Sequence, residues 1–258
     1  MNYIMKRLIK KILQNFGYDI RKKDSFDVPQ GFPSDFSENE IEVIKKVKPF
    51  TLTTNERIYS IVHATKYIVD NHIPGDIVEC GVWRGGSMMA VAHTLLKEKK
   101  QDRNLYLFDT FEGMSKPTDV DIAVVGEKSA KITFEKNKKS EDSSDWCFAS
   151  LDEVKKNMIK TGYNSEKLHF IKGKVENTLP EHIPKQIAIL RLDTDFYEST
   201  KHELIHLFPK LVSGGVLIID DYGFWEGAKK AVDEYISQNK IQILLNRIDD
   251  TCRMAIKI

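Results

Sequence analysis

Two apolar runs, each ending in paired aspartates, constrain this chain more than any other feature. The first, Ile187-Ala188-Ile189-Leu190, leads through Arg191-Leu192 to Asp193-Thr194-Asp195. The second, Gly215-Val216-Leu217-Ile218-Ile219, ends at Asp220-Asp221. Short continuous apolar runs read as strands buried on both faces, as in a parallel sheet covered by helices. Such sheets place their ligands at the carboxyl ends of the strands. Four carboxylates gathered there repel one another unless a cation sits among them or a proton is shared. Aspartate also favours helix caps and turns, which accounts for any one of the four. It does not account for both pairs ending adjacent strands, and the pattern reads as a divalent-metal site.

The rest of the chain supplies the alternation such a sheet needs. Helices are expected over 37–48, with Ser37 and Glu40 as a capping box, and over 54–71, where Ile58, Ile61, Val62, Thr65 and Ile68 share a face. After Pro74-Gly75 the expected order is strand 76–80, helix 86–99, strand 104–109, helix 151–161 behind a second capping box at Ser150, and strand 168–172. The two opening runs follow, with helices over 198–211 and 227–238 after them. Segments 241–248 and 252–258, split by Asp249-Asp250, read as a closing hairpin. This predicts an α/β fold with a doubly wound, mostly parallel sheet and a C-terminal antiparallel edge.

With 258 residues and 41% hydrophobic content, one α/β domain with additions is expected. A net charge of +1 gives no electrostatic case for nucleic acid as partner. Cys80, Cys147 and Cys252 are scattered, with no zinc or disulfide spacing, which fits a reducing compartment. No run is long enough to span a bilayer, and the first residues lack a signal-peptide pattern, so a cytoplasmic protein is expected. Residues 1–36 read as a basic amphipathic helix and a linker. Ile4, Leu8, Ile9, Ile12, Leu13 and Phe16 are helically spaced among Lys6, Arg7, Lys10, Lys11, Arg21, Lys22 and Lys23. Such a segment at 1–23 either lies on an anionic membrane surface or packs on protein, including a second subunit. A homodimer is a reasonable assembly.

One stretch breaks the rhythm. Residues 114–149 are polar, with few regularly spaced apolar positions, and leave the sheet at the same edge as the acidic pairs. A loop of that length reads as a substrate lid over the domain 37–258.

Glu79-Cys80-Gly81-Val82-Trp83-Arg84-Gly85-Gly86-Ser87 joins the first strand to its helix. The glycines permit close approach of a ligand, but their spacing is not that of a dinucleotide fingerprint. A carboxylate beside the turn suits an amine or hydroxyl better than a pyrophosphate. Asp109 ends the next strand where a ribose diol would lie. S-adenosylmethionine, a nucleoside without phosphates and with a cationic tail, satisfies both features; a dinucleotide is the second candidate.

Residues 74–87, Asp109-Thr110-Phe111-Glu112-Gly113, Leu190-Arg191-Leu192-Asp193-Thr194-Asp195-Phe196-Tyr197 and Gly214-Gly215-Val216-Leu217-Ile218-Ile219-Asp220-Asp221-Tyr222 together resemble the macrocin-type O-methyltransferases, metal-dependent enzymes that methylate sugar hydroxyls. The resemblance runs from about Phe50 to the C-terminus. It implies a seven-stranded sheet of the class I methyltransferase type. It implies magnesium on Asp193, Asp220 and Asp221, with Asp195 as general base. Cofactor contacts would come from Thr51, Leu52, Glu79, Cys80, Gly81, Val82, Trp83, Gly85 and Ser87. Others would come from Asp109, Thr110, Phe111, Glu112, Gly113, Ser150, Val175 and Glu176. The family usually carries aromatic residues after the position of Gly173, where this chain has Lys174-Val175, so adenine packing is expected to differ.

The implied acceptor is a sugar hydroxyl of a glycan precursor or glycosylated natural product. Two other functions fit parts of the pattern. A metal-dependent glycosyltransferase would use Asp193-Thr194-Asp195 but leaves Glu79 and Asp220-Asp221 without a task. A non-catalytic nucleoside- or sugar-binding protein would use the same fold. His202 and His206 have metal-ligand spacing without a third partner and read as ordinary helix residues.

Overall fold

The computed structural model of the protein describes residues 31–258. The chain divides into two units, Met1–Ser37 and Glu38–Ile258. The basic segment 1–23 and most of the expected linker lie outside the described residues. In the described part of the first unit, the Phe36 N–H donates to Pro33 O at 3.1 Å and closes a turn.

The second unit is built on a seven-stranded sheet of order β3-β2-β1-β4-β5-β7-β6. The parallel strands are β1 (Asp76–Cys80), β2 (Leu105–Asp109), β3 (Leu168–Lys172), β4 (Ile187–Leu192) and β5 (Leu211–Ile219). Antiparallel β7 (Arg253–Ile256) pairs with β5, and β6 (Asn246–Arg247) pairs with β7. The order reverses between β1 and β4, so a crevice opens at their carboxyl ends. The edge hairpin is shorter than expected. Ile241, Ile243 and Leu245 pack against the core without joining the ladder.

Before β1 come α1 (Glu38–Val47) and α2 (Asn55–Asp70); Thr54 caps α2 by accepting the Arg57 N–H. The connecting helices are α3 (Gly86–Lys97) after β1, α5 (Leu151–Lys160) and the single-turn α6 (Val175–Thr178) around β3, α7 (Tyr197–Leu207) after β4 and α8 (Glu226–Gln238) after β5. β4 is buried at every position and β1 nearly so, as their continuous apolar runs require.

The 114–149 segment holds more structure than its composition suggests. It carries α4 (Ala130–Asn137), capped by Ser129. Isolated bridges join Ile122 to Ser129 and Ala123 to Trp225. Ala123 and Ala130 form a small core with Phe196, Trp225 and Ala228, against which Met114 and Trp146 pack. Asp121 is fully buried beneath it. Its Oδ1 accepts the Tyr197 N–H at 2.8 Å, and its Oδ2 accepts the Thr118 N–H and hydroxyl at 2.7 and 2.8 Å. Phe134 apart, the buried positions are mostly alanines, a serine and an aspartate, which hydrophobic periodicity does not register.

Candidate active site

Strand register brings the acidic pairs together. Leu192 pairs with Ile219, so Asp193 and Asp220 leave the sheet side by side. Asp193, Asp220 and Asp221 each offer one oxygen, and the three oxygens lie within 4.8 Å of one another. Asp220 and Asp221 are buried, while Asp193 keeps a quarter of its side chain exposed to the crevice. Asp221 Oδ2 is buried with no hydrogen-bond partner. Desolvation pushes the carboxyls of Asp193 and Asp221 well above their usual range, and the neighbouring aspartates add to the push. An orphaned oxygen among three converging hard-oxygen donors fits a magnesium ion.

Two arginines compensate part of this charge. Register also sets Glu79 on β1 beside Arg191 on β4. The buried Arg191 guanidinium donates to Glu79 Oε1, to Asp193 Oδ2 at 2.7 Å and to Asp220 Oδ1 at 2.6 Å. Arg57 of α2 donates to Asp220 Oδ2. Glu79 Oε2 stays unpartnered, and desolvation pushes this carboxyl up to about 7 despite the arginine.

Asp195 sits at φ 69°, a left-handed conformation costly for a residue with a side chain. Its Oδ1 accepts the Trp225 indole N–H at 3.0 Å. Desolvation, and next the charge of Asp193, push its carboxyl up to about 7. The charge of Asp195 is in turn among the causes that raise the Asp221 carboxyl.

These groups border a cavity of about 400 Å³. Of the residues expected to contact a cofactor, Thr51, Leu52, Gly81, Val82, Trp83, Ser87, Asp109 and Gly113 line it. Thr110, Val175 and Glu176 line a neighbouring recess of about 60 Å³ that shares Gly81, Asp109 and Asp193 with it. The remaining expected residues line neither space. Glu79 and Cys80 are buried behind the turn, and Phe111 is buried in the core. Gly85 caps α3, and Ser150 caps α5 by accepting the Glu153 N–H. Glu112 is exposed and paired with Lys172.

The turn is held by close backbone packing. Gly81 has φ 81°, and a Cβ there would lie 2.0 Å from Asp193 O. The N–H groups of Val82 and Trp83 donate to Asp109 Oδ2 at 2.7 and 3.0 Å, and that of Phe111 donates to Oδ1 at 2.7 Å. Asp109 therefore ties the first two turns together with the same carboxylate that faces the cavity.

Sequence reasoning missed several lining residues. Met114, Trp146 and Cys147 come from the 114–149 segment, and Arg57, Phe224 and Thr251 from other loops and helices. Trp146 and Trp225 pack edge to face, with centroids 6.0 Å apart, and make one apolar wall. Burial, followed by Asp195 and Asp193, pushes the Cys147 thiol up to about 12, so it stays protonated and is no nucleophile. The signal for Arg191 was present, since a charged residue inside a buried strand demands a partner.

Known proteins show the same arrangement of sequence and fold. A family described as Macrocin-O-methyltransferase (TylF) matches residues 45–256. A demethyldecarbamoylnovobiocin O-methyltransferase of Streptomyces niveus is 32% identical over 199 residues, covering 77% of this chain and 72% of its own. An 8-demethyl-8-(2,3-dimethoxy-alpha-L-rhamnosyl)-tetracenomycin-C 4'-O-methyltransferase of Streptomyces olivaceus is 30% identical over 201 residues, covering 78% and 73%. The solved structure of the O-methyltransferase NovP superposes with a TM-score of 0.68 at 30% identity, covering 81% of this chain and 82% of that one. Family membership leaves no place for the glycosyltransferase or the non-catalytic binder. With sequence and fold in agreement over most of its length, this chain is a member of the macrocin O-methyltransferase family.

Proposed function

We propose that this O-methyltransferase transfers a methyl group from S-adenosylmethionine to a sugar hydroxyl, with magnesium held by Asp193, Asp220 and Asp221. The observation that carries this reading is the unpartnered Asp221 Oδ2 beside two further carboxylates at the wall of the cavity. Magnesium, when bound there, would lower the pKa of an acceptor hydroxyl and fix its direction. Asp195 takes the proton: it faces the same cavity, and its surroundings tune it near neutrality. Trp225 holds the accepting carboxylate through its indole N–H. Gly81, Val82, Trp83, Asp109 and Gly113 would hold the cofactor, and Val175 and Glu176, which line the adjoining recess, would flank it. Trp146 and Phe224 offer apolar faces to the C–H surface of a sugar and displace water from the reacting oxygen.

The acceptor is a sugar on a small glycosylated molecule or a glycan precursor. The tetracenomycin relative, whose name carries a rhamnosyl group, supports this class. The basic pattern in residues 1–23 adds a motive for a lipid-carried precursor met at a membrane surface. Unchanged membrane partitioning after deletion of residues 1–23 would remove that motive. Among the described residues no helix is long and apolar enough to cross a membrane.

Calorimetry tests the main reading. S-adenosylhomocysteine should bind at sub-millimolar concentration, and Asp193→Ala should abolish magnesium-dependent methylation. Full-rate methylation by Asp193→Ala in the presence of chelator would sink the metal mechanism.

A further inference from the structure

The metal reading leaves one cation in an awkward position. Arg57 lines the cavity, and its guanidinium donates to Asp220 Oδ2. The other oxygen of Asp220 already accepts from Arg191. A guanidinium on a ligand carboxylate competes with a metal ion, because both seek the same lone pairs and like charges a few ångströms apart repel. Arg57 nevertheless has a second set of partners. Its Nε donates to Asp249 Oδ2 at 2.6 Å, and its Nη2 donates to Thr251 Oγ1. Both residues belong to the turn between β6 and β7, which contributes no metal ligand.

That turn is built to hold an anion in place. Asp249 Oδ1 accepts the N–H groups of Thr251 and Cys252 at 3.0 and 2.9 Å. Its Oδ2 also accepts the Thr54 hydroxyl at 2.9 Å. Burial works to raise this carboxyl, but the Arg57 hydrogen bond and the two N–H groups outweigh it and hold it down to about 2. The Thr251 hydroxyl is fixed in turn by donating to the carbonyl oxygen of Asp220 at 3.0 Å.

Arg57 bonds Asp220, Asp249 and Thr251 at once, and we propose that Asp249 and Thr251 form a seat that retains the Arg57 guanidinium when a metal ion takes its place on Asp220, so that the β6–β7 turn sets the metal affinity of the acidic centre. Arg57 and Asp249 are positioning residues here, and the inference rests on Asp193, Asp220 and Asp221 being the metal ligands. A seat and a mere structural brace differ in sign. If the network only braces the fold, removing either member loosens the centre and weakens metal binding. If Asp249 retains the displaced competitor, its loss weakens binding while loss of Arg57 tightens it.

The experiment is Mn²⁺ binding to the full chain, stripped with chelator and read by electron paramagnetic resonance of the free ion. Thermal melting of each variant reports folding. Asp249→Asn should weaken Mn²⁺ binding about tenfold, because Arg57 keeps only Asp220 as an anionic partner. Arg57→Met should tighten binding several-fold. Thr251→Val, the milder change, should weaken it about threefold and serves if Arg57→Met does not fold. Weaker binding in Arg57→Met, or unchanged binding in both Asp249→Asn and Thr251→Val, overturns the seat. Failure of the metal reading has a different signature: no Mn²⁺ binding by the unaltered protein, or binding that survives Asp193→Ala. That result would remove the inference as well.

Discussion

The indole N–H of Trp225 donates to Asp195 Oδ1 at 3.0 Å, so the loop that follows the second acidic pair holds the carboxylate of the first. Two strand ends thereby share one carboxylate, the group proposed to accept the proton. Replacing Trp225 by Phe keeps an aromatic ring in the wall and deletes only this bond. A hydrogen bond to a charged group contributes about 1.5–3 kcal/mol. Trp225→Phe should lower kcat by roughly tenfold or more, with the Kd for S-adenosylhomocysteine unchanged. Steady-state kinetics with calorimetry checks this, and an equal loss of cofactor binding would assign the indole to general pocket support.

The acidic centre should make stability depend on pH and, with magnesium bound as proposed, on metal as well. Desolvation raises Asp195 from 3.8 and Glu79 from 4.5 to about 7, and Asp193, Asp221 and Glu203 shift in the same direction. Across the interval from the unfolded to the folded values the native chain holds more protons than the unfolded chain. Its stability therefore falls as pH rises through that interval. Chelated protein should melt several degrees lower at about pH 8 than at about pH 5. Magnesium should raise the melting temperature more at the higher pH, where it displaces fewer protons. Calorimetric scans at both values, with and without chelator, decide the point.

Arg191 sits among Glu79, Asp193 and Asp220 with almost no solvent exposure. Removing one partner of a buried ion pair costs about 3–5 kcal/mol, because uncompensated charge stays behind. Arg191→Met should destabilise by that order, with part of the loss recovered in magnesium. Denaturant unfolding measures both, and a variant as stable as the parent would show that the acids discharge by taking up protons instead.

Gly227, at the start of α8, has no room for a side chain. A Cβ there would lie 2.0 Å from Asp121 Oδ1. Asp121 in turn holds the N-terminus of α7 and the Thr118 turn. Gly227→Ala should cost about 1–3 kcal/mol by overpacking. It should raise the acceptor KM while the Kd for S-adenosylhomocysteine holds. A rise in both would place the strain on the cofactor side as well.

Much of the architecture was legible because its signals are local. The runs ending at Asp193 and Asp220 are continuous and punctuated, and the capping serine at 150 stands where a helix begins. What escaped depends on register or on distant partners. Arg191 looks like a strand residue until pairing sets it beside Glu79. Asp109 was legible as a residue facing the crevice, but its bonds to the Val82 and Trp83 N–H groups follow from how two turns meet. The 114–149 segment looked unstructured because its order is borrowed from Tyr197, Trp225 and Gly227, far away along the chain.

That borrowed order has a consequence for engineering acceptor range. The segment leaves β2 and returns before α5 as one contiguous piece, which invites transplantation between homologous enzymes. Its bridge from Ala123 to Trp225 and the contact of Asp121 with Gly227 make it half of a matched set. A chimera that moves residues 114–149 alone separates complementary surfaces and disturbs the indole that orients Asp195. If the insertion is the acceptor lid expected from the sequence, acceptor range should transfer only when 222–228 travels alongside it.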